Sequence, residues 1–319
     1  MKRLALLVMC FVLCSVTLFA GARGDRPFPS RQITILVGAS PGGTSDVIAR
    51  TIGRMIEVDL GVPVVIQNRP GGSSAVATEF LAAQSADGYT LMYFPVENAM
   101  IRPLGLSQHE PRNFTYLVRA MTLPATVTVS VDSPWYTFQE FIDFALANPG
   151  QVTVGNSGPG SIWHFGAVGL EMATGAVFTH VPFDGGAAAA TAVMGGHVNM
   201  SPVAPGEVRS GVDAGMLRVL AVMGNERSPL FPDVPSLSEL GVQVDVFAWG
   251  AFGGPANMAP EARQILEEAF TRALHSQEWM ELAAANGWTP AFLNAADAQR
   301  FAEEQAAWYQ NVIPTLNLN

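Results

Sequence analysis

Hydrophobic positions along this chain repeat with two different periods, and the period changes at turns rich in glycine. Gln32 to Val37 is β-rich and alternates weakly, which predicts a strand. Gly38 to Gly43 is a turn. From Thr44 to Asp59 the apolar residues Val47, Ile48, Ile52, Met55 and Ile56 recur with a helical period. Val64 to Gln67 predicts a second strand, and Asn68-Arg69-Pro70-Gly71-Gly72 a loop. Ser74 to Gln84 then predicts a helix of small residues, and Thr90 to Phe94 a third strand. Strands that alternate with helices mark an α/β protein with parallel strands.

An irregular stretch around Arg102 to Arg112 interrupts this rhythm, which then resumes. Strands are expected at Thr126–Val131, Val152–Gly155, Phe178–Pro182, Val198–Ser201 and Arg218–Met223. Helices are expected at Thr137–Ala147, Ser161–Ala173 and Gly185–Met194. Ser228 to Ser236 is a proline-rich loop, and Asp245 to Phe252 is strand-like. The tail is expected to be helical over Pro260–His275, Gln277–Asn286 and Ala295–Ile313. Two β/α blocks without a low-complexity linker suggest two lobes facing a cleft. In open α/β sheets ligands lie beyond the carboxyl ends of strands, where loops meet helix N-termini.

The first residues follow another logic. Met1-Lys2-Arg3 precedes an apolar run from Leu4 to Phe19, and Ala20-Gly21-Ala22 follows it. A basic start, a short apolar core and an A-x-A site predict a secretory signal peptide over residues 1–22. The run is short for a spanning helix, which needs about 20 residues. Cleavage after Ala22 would leave a mature chain with no lysine and no cysteine, because Lys2, Cys10 and Cys14 all lie before it. That composition excludes a Walker lysine, a Schiff-base lysine, a cysteine nucleophile and a thiolate metal site. A chain near 300 residues buries enough surface to fold without a disulfide. Loss of the two positive charges of Lys2 and Arg3 takes the formal charge from −10 to −12. Such acidity argues against nucleic acid or an anionic membrane as partner. An anionic ligand would have to be held by local dipoles or single arginines.

Two turns carry the candidate chemistry. One runs Gly38-Ala39-Ser40-Pro41-Gly42-Gly43-Thr44-Ser45-Asp46, the other Gly155-Asn156-Ser157-Gly158-Pro159-Gly160-Ser161. Each lies between a strand and a helix. Glycines let the backbone approach a ligand, and hydroxyl residues open the helix. Such a turn aims N–H donors and the positive helix end at one point, as a carboxylate or phosphate requires. Gly38-Ala39-Ser40-Pro41-Gly42 also fits the G-x-S-x-G nucleophile elbow, so a secreted α/β hydrolase acting through Ser40 is the alternative of a different class. The residue after the serine is Pro41, however, and it has no N–H for an oxyanion hole. The five histidines show no i,i+4 pair and no nearby carboxylate set, so neither a metal nor a cofactor is expected. His164, one turn into the helix after the second turn, either caps or faces the cleft or is a satisfied packing histidine.

Further motifs then become recognisable. Pro41-Gly42-Gly43-Thr44-Ser45-Asp46, Gln67-Asn68-Arg69-Pro70-Gly71-Gly72, Ala86-Asp87-Gly88-Tyr89-Thr90-Leu91, Ser157 to His164, His180-Val181-Pro182-Phe183, and Arg227-Ser228-Pro229 with Pro232-Asp233-Val234-Pro235-Ser236 follow in order over some 200 residues. Together they resemble the extracytoplasmic solute-binding proteins of tripartite tricarboxylate transporters, the Bug-type receptors. The resemblance implies a type II-like, two-lobed periplasmic-binding fold, with lobe 1 formed by residues 23–125 and 246–319 and lobe 2 by residues 126–245. It implies a periplasmic receptor without catalysis that closes on a small organic acid and delivers it to membrane permease subunits. The acid would be a di- or tricarboxylate, an amino acid or an aromatic acid. A monomer is expected, and a ligand sensor of the same fold serving a signalling partner is a second alternative. Carried over by position, the ligand shell would comprise Ala39, Ser40, Gly42, Gly43, Thr44, Ser45, Asp46, Ser157, Gly158, Gly160, Ser161, His164, Phe183 and Asp184.

Two departures touch the pocket. The family commonly has an aromatic residue before the first P-G-G, where this chain has Gly38-Ala39-Ser40. After H-V-P-Y it often has lysine-glycine, where this chain has Asp184-Gly185. Asp184 is either an N-cap for the following helix or a carboxylate at the cleft edge that disfavours a second ligand carboxylate. The N-terminal reading is checked directly: sequencing of exported protein is expected to begin at or near Arg23. Met1 retained on membrane-bound material would overturn it.

Overall fold

A computed structural model describes residues 27–315 apart from Pro159, Asp184 and Asp245. The expected signal peptide and Asp184 therefore lie outside the described residues. The first half begins with β1 (Ile33–Val37), α1 (Thr44–Leu60), β2 (Val64–Asn68), α2 (Ala75–Ala82) and β3 (Thr90–Pro95). The long β4 (Phe114–Pro124) then runs almost directly into β5 (Thr126–Ser130). There follow α3 (Phe138–Ala147), β6 (Thr153–Asn156), α4 (Ile162–Thr174), β7 (Thr179–Pro182) and α5 (Gly186–Met194). Next come β8 (Met200–Ser201), α6 (Pro205–Asp213) and β9 (Leu217–Val222). The chain ends with β10 (Phe247–Pro255), α7 (Pro260–Leu274), α8 (Gln277–Asn286), β11 (Thr289–Leu293) and α9 (Ala295–Val312).

These strands form two sheets, a six-stranded one in the order β11-β4-β10-β3-β1-β2 and a five-stranded one in the order β7-β6-β8-β5-β9. The expectation of parallel sheets holds only for part of each. β1 is parallel to β2 and β3, and β6 is parallel to β7 and β8. β10 runs antiparallel to both β3 and β4, and β5 antiparallel to β8 and β9. The antiparallel strands include those that carry the chain between the sheets, out at Ala125 and back after β9. A strand that leaves for another sheet needs no crossover helix, so nothing forces it to be parallel.

The first sheet packs against α1 through Ile48, Ile52 and Ile56, which are fully buried beside Ile35. Gly53 lets α1 approach closely, since a Cβ there would lie 3.1 Å from Ile66 Cδ1. At the other end Phe252 is buried between Tyr93 and Phe270, at ring separations of 5.2 and 4.7 Å. In the second sheet α3 starts on Thr137, whose hydroxyl accepts the Glu140 N–H while Glu140 accepts the Thr137 N–H. That reciprocal cap marks the helix start its sequence predicts. Phe141, Leu170, Val154, Val193 and Met200 fill the core of this half.

Three elements differ from the sequence reading. β4 is apolar on both faces because it lies inside a sheet covered on two sides, so it shows no clean alternation. β11 contains Pro290, which an edge strand tolerates. α6 is built from a segment with Gly206 and Gly211, which have low helix propensity. The fold brings the carboxyl ends of β1 and β3 side by side in one half, and those of β6, β7 and β8 in the other.

Candidate functional site

The turn after β1 is held by a carboxylate. Gly42 takes up φ +83°, and its N–H donates to Asp46 Oδ2 at 2.9 Å. Asn68, at the end of β2, donates to Asp46 Oδ1 at 2.8 Å and to the Ala39 carbonyl at 3.0 Å. Arg50 Nε donates to Asp46 Oδ2 at 2.9 Å, and its terminal nitrogen reaches Asn68 Oδ1 at 3.0 Å. Burial alone would raise the Asp46 carboxyl. The hydrogen bonds from Arg50, the Gly42 N–H and Asn68 outweigh burial and hold it below its ordinary value. Asp46 is thus the frame of this turn rather than its wall. Gly43 is the N-cap of α1 and has no side chain to cap it, so among the described residues the first-turn N–H groups have no side-chain acceptor.

The second turn is self-supporting. Gly158 and Gly160 have φ +97° and +73°. The Gly158 N–H donates to Asn156 Oδ1 at 3.1 Å, and Ser161 Oγ donates to the Gly158 carbonyl at 2.7 Å. Ser161 also caps α4 by accepting the His164 N–H at 3.3 Å. His164 Nδ1 accepts the Gly160 N–H at 3.1 Å, which places its own proton on Nε2. Its ring packs edge-on against His180 at 4.7 Å, and His180 meets Glu171 at 3.2 Å. Burial, with the neighbouring His180 adding to it and Glu171 opposing, pulls His164 down to about 4. His164 is therefore a neutral packing histidine that shapes the turn. The Phe183 ring covers Gly155, and its N–H donates to the Asn156 carbonyl at 2.8 Å.

Between the halves lies a cavity of about 170 Å³. Ala39, Thr44 and Ser45 line it from the first turn, and Ile162 and Trp163 from the start of α4. Gly42 and Thr44 also border an adjoining space of about 220 Å³ that extends to Gly206 and Trp288. Ser40 and Gly43 are exposed on the same turn, whereas Ser157 and Gly158 are half-buried behind the second. Among the cavity residues outside any sequence motif, four are acidic or aromatic: Glu97, in the 3-10 turn after β3, Glu207, in α6, and Tyr93 and Trp249 from the strands. Trp249 is buried, and its Nε1–H has no partner among the described residues. Only the meeting of strand ends in space reveals these four. A larger groove of about 360 Å³ lies at the chain crossings, between Thr122, Arg227, Phe247 and Pro290. It touches neither glycine turn, so the helix-end chemistry belongs to the smaller cavity. Burial pushes Glu97 up, and pushes Glu207 up to about 6 against the Ala204 N–H that it accepts at 2.9 Å.

Two sheets with a cavity between helix N-termini define a two-lobed periplasmic-binding fold, and comparison with known proteins narrows the class. The model of the tripartite tricarboxylate transporter family receptor matches residues 48–318, and the chain belongs to that family of solute-binding receptors. The protein of the gbd 5' region of Cupriavidus necator is 30% identical over 94% of this chain and 91% of its own length. BugT of Bordetella pertussis is also 30% identical, over 88% of each chain. A solved R. palustris protein with bound adipate superposes with a TM-score of 0.81 at 26% identity, covering 90% of this chain and 98% of that one.

Two measurements check this geometry. Asp46→Ala leaves the Gly42 N–H and the Asn68 amide without their acceptor, and should lower unfolding stability by about 1–3 kcal/mol in urea titrations. His164 binds its proton less readily when folded than its ordinary value of 6.5. Between about 4 and 6.5 the unfolded chain therefore holds more protons, so this group's contribution to stability is complete above 6.5 and is lost as pH falls through about 4. His164→Gln should flatten the pH dependence of the urea midpoint within that window.

Proposed function

We propose that this protein is a periplasmic receptor that captures a small carboxylate by closing its two lobes. It would then deliver the ligand to the membrane permease subunits of a tripartite tricarboxylate-type transporter. One observation carries the reading. α1 starts at the cavity with no side chain of the described residues capping its first N–H groups, and the start of α4 faces the same cavity from the other sheet. A carboxylate there gains charge-assisted hydrogen bonds, each worth about 1.5–3 kcal/mol, and the favourable end of a helix dipole. The adipate bound to the R. palustris relative belongs to the same chemical class.

The lobes would comprise residues 23–125 with 246–319, and residues 126–245. Sheet membership supports this division, since β1 to β4, β10 and β11 form one sheet and β5 to β9 the other. The ligand shell would draw on Ala39, Thr44 and Ser45 as walls, with Asp46, Ser161 and His164 holding the two turns in shape. A hydrolytic role for Ser40 has little support. Pro41 follows it, and among the described residues no histidine hydrogen-bonds to its hydroxyl.

Calorimetric titration of the mature protein with di- and tricarboxylates, amino acids and aromatic acids should give at least one dissociation constant of about micromolar or below. Gly43→Val is the discriminating variant. Gly43 has φ −72°, and a Cβ there meets only the Ser40 carbonyl at 3.4 Å, so the fold should tolerate a side chain beside the first-turn N–H groups. Gly160 is less suitable, since its φ is +73° and a Cβ would come within 2.8 Å of Leu104. Gly43→Val should weaken binding about tenfold or more, with helical circular dichroism unchanged. No binding across the panel would overturn the receptor reading.

A further inference from the structure

The cavity that offers N–H donors to an anion also contains two carboxylates. Glu97 enters it from the 3-10 turn Val96–Ala99 at the end of β3, and Glu207 from the third position of α6. They come from opposite sheets and line the same space. Among the described residues no arginine, lysine or histidine lines it with them. Among the described residues, too, neither carboxylate forms an ion pair within 4.0 Å. Each is half-buried and has one backbone contact, Glu207 with the Ala204 N–H and Glu97 with its own N–H. Negative charge held out of water without a counter-ion is costly, and lobe closure would raise that cost.

Glu207 also decides what the other helix end can accept. A Cβ on Gly186 would lie 2.5 Å from either Glu207 oxygen, so this carboxylate rests directly on the first residue of α5. Gly185, the N-cap of α5, supplies no side-chain cap of its own. The protein's own anion therefore lies against the N-terminus of α5, where a second ligand carboxylate would otherwise look for N–H donors. A dicarboxylate with one end at α1 would bring its distal charge towards Glu97 and Glu207. A cation at that end would instead neutralise both, with the ring of Trp163 close by. The cation must come with the ligand, because among the described residues no group of three acidic or histidine side chains is placed to hold a metal ion.

We propose that this receptor selects a zwitterion, with its carboxylate at the start of α1 and an ammonium-type head between Glu97 and Glu207. The selection rests on the receptor reading above and is tested separately from it. The full mature protein would be titrated calorimetrically with matched pairs that differ only at the distal end: succinate and 4-aminobutyrate, glutarate and 5-aminopentanoate, adipate and 6-aminohexanoate. At least one amino acid should bind ten times more tightly than its dicarboxylate partner. Glu97→Gln and Glu207→Gln should each reduce that preference about tenfold. The side-chain carbonyl that Glu207→Gln retains can still accept the Ala204 N–H, so helix α6 should survive, and thermal melting checks this. Tighter binding of the dicarboxylate in every pair would overturn the proposal while leaving the receptor reading intact. An unchanged preference in both variants would overturn it equally, since the glutamates would then not set it. Absence of binding by either series and by the wider acid panel would remove both readings together.

Discussion

The first N–H groups of a helix have no carbonyl to bind, and the most natural partner for those of α1 would be a nearby side-chain carboxylate. Asp46 is that carboxylate by position, yet it is turned away. It accepts from Gly42, Asn68 and Arg50, and so braces the turn from behind while the helix end stays open to the cavity. The other features of this half of the site follow from that choice. Asn68 must stand at the end of β2 to reach both Asp46 and the Ala39 carbonyl. Gly42 must adopt a positive φ to present its N–H to the carboxylate. Gly43 must lack a side chain if the N-cap is to remain unfilled.

The second turn solves the same problem differently. α4 is capped by Ser161, and its turn is propped by a neutral histidine that accepts the Gly160 N–H. One side of the cavity thus has an uncapped helix end and the other a capped, hydrogen-bonded shoulder. The glutamates add a sign to this shape, one from each sheet.

Much of this was legible in the sequence, for stated reasons. Helix and strand periods located most of the elements, and the glycine turns at Gly38–Gly43 and Gly155–Gly160 marked the strand-to-helix corners that meet at the cavity. β4 escaped because burial on both faces erases alternation, and α6 because two glycines disguise a helix. The mixed sheets were hidden for a related reason, since β10 pairs with β3 and β4 across long sequence separations that no local pattern records. Glu97 and Glu207 carry no motif at all. Each is an ordinary acidic residue in the first turn of a helical segment, and only the convergence of β3, α6 and the two turns gives it a place in the cavity.

The order of strands also sets an order of assembly. β10 lies between β4 and β3, so the first sheet stays split until Pro255 is available to join its parts, and β11 completes it only at Leu293. The second sheet is finished by Val222 and can close first. Long-range pairing of this kind is slow because loop closure must precede the contacts that reward it. The half that is made first in sequence is therefore the half whose sheet becomes a single layer last.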